Sequence, residues 1–141
     1  MKKLIAYIAL SFAAITSYAT TPLWMRDVQI SPDGTEIVFC YKGDLYKVPA
    51  KGGTATQLTT QDSYECTPIW SPDGKQIAFA SDRNGNFDIF IMSANGGTAQ
   101  RLTTHSATEL PSTFTPDGKY ILFSASIQDL SLIHISEPTR R

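Results

Sequence analysis

Pro68-Ile69-Trp70-Ser71-Pro72-Asp73-Gly74-Lys75-Gln76-Ile77-Ala78-Phe79 is one of three versions of a single pattern in this chain. The others centre on Ser31-Pro32-Asp33-Gly34 and Thr115-Pro116-Asp117-Gly118, so the tetrapeptides start 40 and then 44 residues apart. A large apolar residue precedes each turn: Ile30, Trp70 and Phe114. An apolar run follows each: Ile37-Val38-Phe39, Ile77-Ala78-Phe79 and Ile121-Leu122-Phe123. The turn chemistry is explicit. Proline presets φ at the first central position, aspartate tolerates the second, and glycine supplies the positive φ that closes a hairpin. Runs that are apolar at consecutive positions fit strands covered on both faces.

The repeat extends well beyond the turn. Gly52-Gly53-Thr54-Ala55 recurs at residues 96–99, and Leu58-Thr59-Thr60 recurs at residues 102–104. The four extra residues of the second repeat fall in Asp82-Arg83-Asn84-Gly85-Asn86, opposite the shorter Lys42-Gly43. An insertion confined to one spot and carrying Asn-Gly reads as a lengthened hairpin turn. A third strand opens with Asp44 or Asp88, and each carboxylate is expected to cap the strand by bonding nearby backbone N–H groups. A polar fourth strand, residues 54–58 and 98–102, suits an exposed edge. Four short strands in every 40–44 residues are the mark of a β-propeller blade. The expected fold is all-β, a partial propeller of about two and a half four-stranded antiparallel blades. Blade one covers about residues 25–62, blade two about 63–106, and a partial blade three about 107–129. A closed ring needs at least about four blades. The arc is therefore expected to be open, with apolar blade faces bare at both ends and marginal stability on its own.

Residues 1–19 read as an export signal. Lys2 and Lys3 precede an apolar stretch from Leu4 to Ile15, too short to cross a bilayer, and Ser17-Tyr18-Ala19 offers a cleavage site after Ala19. At the other end, residues 130–141 begin with a segment, Leu130 to Arg140, that resembles a translated sequencing adapter, and the repeat stops there. This tail is read as non-native, although Leu-Ser-Leu-Ile-His-Ile is β-prone. Residues 20–129 carry eight Lys and Arg against twelve Asp and Glu, a net charge of −4. A mildly acidic segment without a basic stripe is a poor match for nucleic acid. No stable membrane insertion is expected once the signal is removed.

The three Pro-Asp-Gly turns, Ser81-Asp82-Arg83, the strand-opening Asp44 and Asp88 and the Leu-Thr-Thr ends resemble the PD40 (WD40-like) propeller repeat. That repeat occurs in exported TolB-type proteins, in tricorn-like serine peptidases and in some prolyl-oligopeptidase relatives. The resemblance covers about residues 25–125. It implies an exported protein of the bacterial periplasm or envelope whose propeller binds a peptide or protein. It is far less specific for any one activity, since folds host many functions.

A search for chemistry finds little. Outside the tail the one histidine is His105, in a polar loop, and no Gly-x-Ser-x-Gly is present. Nucleophilic catalysis needs a nucleophile, a base and an orienting group together. Residues 82–88 start like a calcium loop, but Phe87 stands where glycine is needed and Ser93 where the bidentate glutamate belongs. Asp33, Asp73 and Asp117 recur once per blade and are read as structural turn residues with Pro32, Gly34, Pro72, Gly74, Pro116 and Gly118. No catalytic residue, metal or cofactor is assigned. Cys40 and Cys66 could form a disulfide in an exported chain, yet Cys40 aligns with Ala80 and Ser124, so a small buried residue also suffices there. Trp70 aligns with Ile30 and Phe114 and is read as core. Asp82 and Arg83, in the long hairpin, are candidates for peptide contact because ligand contacts favour loops on rigid scaffolds.

Two functions follow. The first is a non-catalytic propeller that channels or selects peptides for a tricorn-like serine peptidase domain further along the chain. The start of blade one soon after the predicted cleavage site favours it. The alternative is a TolB-like module for protein contacts in the envelope.

Overall fold

The computed structural model describes residues 24–126 and 130–134. The expected signal segment, residues 1–19, and its expected cleavage site lie outside the described residues. Three antiparallel sheets follow one another along the chain. The first holds β1 (Met25–Ile30), β2 (Glu36–Tyr41), β3 (Asp44–Pro49) and β4 (Thr56–Gln57), in that spatial order. The second repeats it with β5 (Glu65–Trp70), β6 (Gln76–Ser81), β7 (Asp88–Ser93) and β8 (Gln100–Arg101). The third has β9 (Glu109–Phe114), β10 (Tyr120–Ala125) and β11 (Leu130–His134). Each sheet is a meander, and no strand is shared between sheets. The architecture is all-β and open, a partial propeller of stacked blades.

One difference from the sequence reading concerns strand length. First strands begin at Met25, Glu65 and Glu109, and fourth strands shrink to two residues where residues 54–58 and 98–102 are expected. The first strands run on because β-bulges absorb residues within them. Register slips between Arg26 and Gln29 and between Cys66 and Ile69, where Asp27 and Thr67 take positive φ of 50° and 48°. Leu130–His134 pairs with β10 in unbroken register. A β-prone segment beside an open strand edge pairs in this way whatever its origin.

The Pro-Asp-Gly turns are built as their residues dictate. The Gly34 N–H bonds the Ser31 carbonyl at 2.9 Å, and Gly34, Gly74 and Gly118 sit near φ 70°. Ser31 Oγ donates to Asp33 Oδ1 at 2.6 Å, and the same oxygen accepts the Thr35 N–H. Ser71–Asp73–Lys75 and Thr115–Asp117–Lys119 repeat this arrangement. The turns line up along one rim. A Cβ on Gly74 would lie 3.8 Å from Pro32, and one on Gly118 3.7 Å from Pro72. Each turn aspartate thus bonds within its own turn.

The middle sheet carries the core on both faces. Ile77, Phe79, Phe90 and Met92 pack against Val38, Cys40, Leu45 and Leu58 of the first sheet. Ala78, Ile89 and Ile91, one position along, pack against Phe114, Ile121 and Phe123 of the third. Residues 77, 78 and 79 thus alternate between two blade interfaces, which is why the run has no polar face. The residue ahead of each turn reaches back to the preceding blade. Trp70 packs on the first cluster and donates its indole N–H to the Gln29 carbonyl at 3.3 Å. Phe114 is buried in the second cluster. Ile30, with no described blade before it, is 59% exposed.

Asp44 and Asp88 do not cap backbone groups directly, which corrects the sequence expectation. Asp44 accepts from Gln57 Nε2 at 3.0 Å and from Thr59 Oγ1 at 3.3 Å. The Thr59 hydroxyl oxygen in turn accepts the Leu45 N–H at 2.9 Å. In the second blade Thr103 accepts the Ile89 N–H at 2.9 Å, while Arg101 lies 2.6 Å from Asp88. The first threonine of each Leu-Thr-Thr is therefore a latch between the fourth strand and the start of the third.

Candidate functional site

The end of the blades opposite the Pro-Asp-Gly rim gathers the chemically distinct residues. Here lie the hairpins at residues 42–43 and 82–87 and the crossovers at residues 60–64 and 104–108. In the short hairpin Lys42 and Gly43 both have positive φ, 53° and 92°, as a two-residue primed turn requires. A Cβ on Gly43 would come within 3.3 Å of the Tyr64 ring. The close approach of backbone and ring explains glycine at this position.

The long hairpin is tied down by its own polar groups. Asp82 Oδ1 accepts the Tyr64 N–H at 2.7 Å. Asn86 Nδ2 donates to the carbonyls of His105 and Ala107, each at 2.9 Å. His105 is exposed, and its Nδ1 accepts the Ala107 N–H at 3.1 Å. Asp82 thus ties the hairpin to the crossover before it, and Asn86 ties it to the crossover after it.

Arg83 points inward. Its Nη2 lies 3.1 Å from Glu65 Oε1, its Nε donates to Ser81 Oγ at 2.9 Å, and its guanidinium stacks 4.4 Å from the Phe90 ring centre. Glu65 is fully buried, and the same Oε1 also accepts from Ser63 and Ser81. Arg83 lines a cavity of about 370 Å³ with Leu58, Thr60 and Thr98. Sequence reasoning missed Glu65. Only its place at a strand start, opposite Ser81 across β5–β6, brings it to Arg83.

Cys40 and Cys66 are free thiols. Cys40 faces the second blade within the first core cluster. Cys66 stands opposite Ala80 on β6, whose neighbour two residues away, Ala78, faces the third blade. Directly paired residues share a face. Burial, then the nearby Asp27 carboxylate, pushes the Cys40 thiol far above its ordinary range. Burial lifts Cys66 to about 11.

A second cavity, also about 370 Å³, opens at this end between the first and second blades. Trp24, Arg26, Cys40, Lys42, Gly43 and Tyr64 line it. Trp24 is 68% exposed and Tyr64 40%. The Arg26 guanidinium lies 5.6 Å from the Trp24 ring centre, and Lys42 Nζ lies 5.5 Å from that of Tyr41. Among the described residues no group of histidine, cysteine and carboxylates is arranged to hold a metal ion. No described helix is long and apolar enough to cross a membrane.

Comparison with known proteins follows the same lines. A profile of the tricorn protease N-terminal beta propeller domain matches residues 22–134. The chain is 32% identical over 96 residues to the uncharacterized peptidase YuxL of Bacillus subtilis, covering 61% of this chain and 13% of that protein. It is 30% identical over 75 residues to dipeptidyl-peptidase 5 of Porphyromonas gingivalis, covering 46% of this chain and 11% of that one. A putative TolB from Agrobacterium tumefaciens superposes with a TM-score of 0.65 at 30% identity, over 79% of this chain and 46% of that structure. The tricorn protease superposes with a TM-score of 0.64 at 22% identity, over 74% of this chain and 11% of that structure, a likeness of fold. The chain thus spans between about a tenth and a half of the relatives it matches. It belongs to the tricorn protease N-terminal beta propeller domain family.

Proposed function

We propose that this chain is the non-catalytic propeller of a larger exported peptidase, and that it binds peptides and passes them to a serine-peptidase domain further along the parent chain. The family match over residues 22–134 carries this reading, and similarity to two proteins named as peptidases supports it. The geometry agrees with it in kind. Polar residues on the loops opposite the turn rim are committed to holding the blades together, which suits a rigid scaffold for ligands. An envelope location fits the similarity to TolB structures. Purified residues 20–129 should hydrolyse no peptide, and the full-length gene product should do so, with loss of selectivity when the propeller is deleted. Peptide turnover by residues 20–129 alone would overturn the proposal.

A second reading has its own support in the 0.65 TM-score and 30% identity to a putative TolB. Under it the propeller is a protein-docking module in the envelope. A full-length product without peptidase activity that co-purifies with another envelope protein would favour it.

A further inference from the structure

The cavity between the first two blades has a chemistry that the propeller fold does not require. Its walls are aromatic, from Trp24 and Tyr64, and its rim is cationic, from Arg26 and Lys42. Neither cation has a carboxylate within ion-pair distance among the described residues. Elsewhere Lys47 pairs with Glu36, Lys75 with Asp73, Arg83 with Glu65 and Arg101 with Asp88. Residues 20–129 carry a net charge of −4, so two unpaired cations meeting at one apolar cavity run against the overall charge. Both charged heads lie over aromatic rings, Arg26 on Trp24 and Lys42 on Tyr41, which holds them at the cavity without a carboxylate partner. A volume of about 370 Å³ lies at the small end of the range for ligand sites, enough for one side chain and its flanking backbone.

We propose that this cavity takes an acidic side chain of an extended peptide, with the carboxylate held by Arg26 and Lys42 and the flanking backbone against Trp24 and Tyr64. This rests on the peptide-binding reading and gives it a ligand class. Arginine offers paired donors that match a carboxylate, and lysine adds a point charge. The two cations also favour approach of acidic segments at low salt, opposed in part by the Asp27 carboxylate beside Cys40.

Trp24 and Trp70 are the two tryptophans, so Trp70→Phe leaves Trp24 as the reporter. Phenylalanine is the residue at the equivalent position of the third repeat, Phe114. The probes are blocked pentapeptides, acetylated and amidated, with Glu, Gln or Lys at the centre of four alanines. The Glu peptide should change Trp24 emission saturably and bind at least tenfold tighter than the Gln peptide, with affinity falling as salt rises. Arg26→Gln with Lys42→Asn should remove that preference. Both sites are exposed and asparagine tolerates the positive φ of Lys42, so circular dichroism should be unchanged. Equal binding of the Glu and Gln peptides overturns the inference and leaves peptide binding intact. So does peptide binding seen by calorimetry with no response from Trp24. No binding by either method overturns the inference together with the peptide-binding reading.

Discussion

Arg83→Ala should be among the most damaging single substitutions outside the hydrophobic clusters. The side chain looks dispensable in the sequence, within a polar hairpin. In the fold its guanidinium, 19% exposed, neutralises the fully buried Glu65 at 3.1 Å and covers Phe90 at 4.4 Å. Removing one partner of a buried ion pair leaves an uncompensated charge and costs about 3–5 kcal/mol. Loss of the cation–ring contact adds up to about 1 kcal/mol. Ser63 and Ser81 still donate to Glu65 Oε1, which places the expected loss near the lower end, about 3 kcal/mol. With a urea dependence of about 1–3 kcal/mol per molar, the midpoint should fall by at least 1 M. Replacing both partners with apolar residues, Glu65→Leu with Arg83→Met, should recover most of the loss, because no buried charge then remains. Urea titrations of the chain followed by tryptophan emission give both values. A loss below about 1 kcal/mol for Arg83→Ala, or a double variant no more stable than the single one, would refute the reasoning.

The latch threonines make a parallel case. Thr59→Val or Thr103→Val leaves a buried backbone N–H, of Leu45 or Ile89, without an acceptor, and should cost about 1–3 kcal/mol in the same titration. The turn aspartates predict an acid limit. Hydrogen bonds from Ser31, Ser71 and Thr115, then from backbone N–H groups, hold Asp33, Asp73 and Asp117 below the ordinary carboxylate value of 3.8. A group depressed in the folded state adds stability above its unfolded pKa and loses it as pH falls through the folded one. Melting temperature should therefore decline below about pH 4, and less so when all three are replaced by asparagine. The thiols should stay separate. Under denaturing, non-reducing conditions two free thiols should titrate per chain, and in the native protein both should alkylate slowly at neutral pH because their thiolates are disfavoured.

Much of the fold was legible because its determinants are local. Proline, aspartate and glycine at fixed places specify each turn whatever surrounds them, and the apolar runs announce strands with two covered faces. The strand-opening aspartates were legible in position but not in partner. Asp44 reaches Gln57 in β4 and Thr59 just beyond it, thirteen and fifteen residues away, which no local rule supplies. Arg83 illustrates the same limit. Its place in a polar hairpin suggests a surface group, and only the register of β5 against β6 turns it inward onto Glu65. Cys40 lies near the end of β2 and Cys66 near the start of β5, yet their facing depends on pairing register, which a slip of one residue would reverse. The cavity was not legible at all. Trp24 and Tyr64 are far apart in sequence and meet only because the first two blades stack.

The decisive observation concerns how the sheets meet. In methyl- and ring-labelled chain, nuclear Overhauser contacts should join Val38 and Leu45 methyls to the Phe79 and Phe90 rings, and Ile89 and Ile91 methyls to Phe114 and Phe123. Cross-strand Hα contacts should stay within each sheet. Hα contacts running from β4 into β5, as in one continuous sheet, would contradict a stack of separate blades.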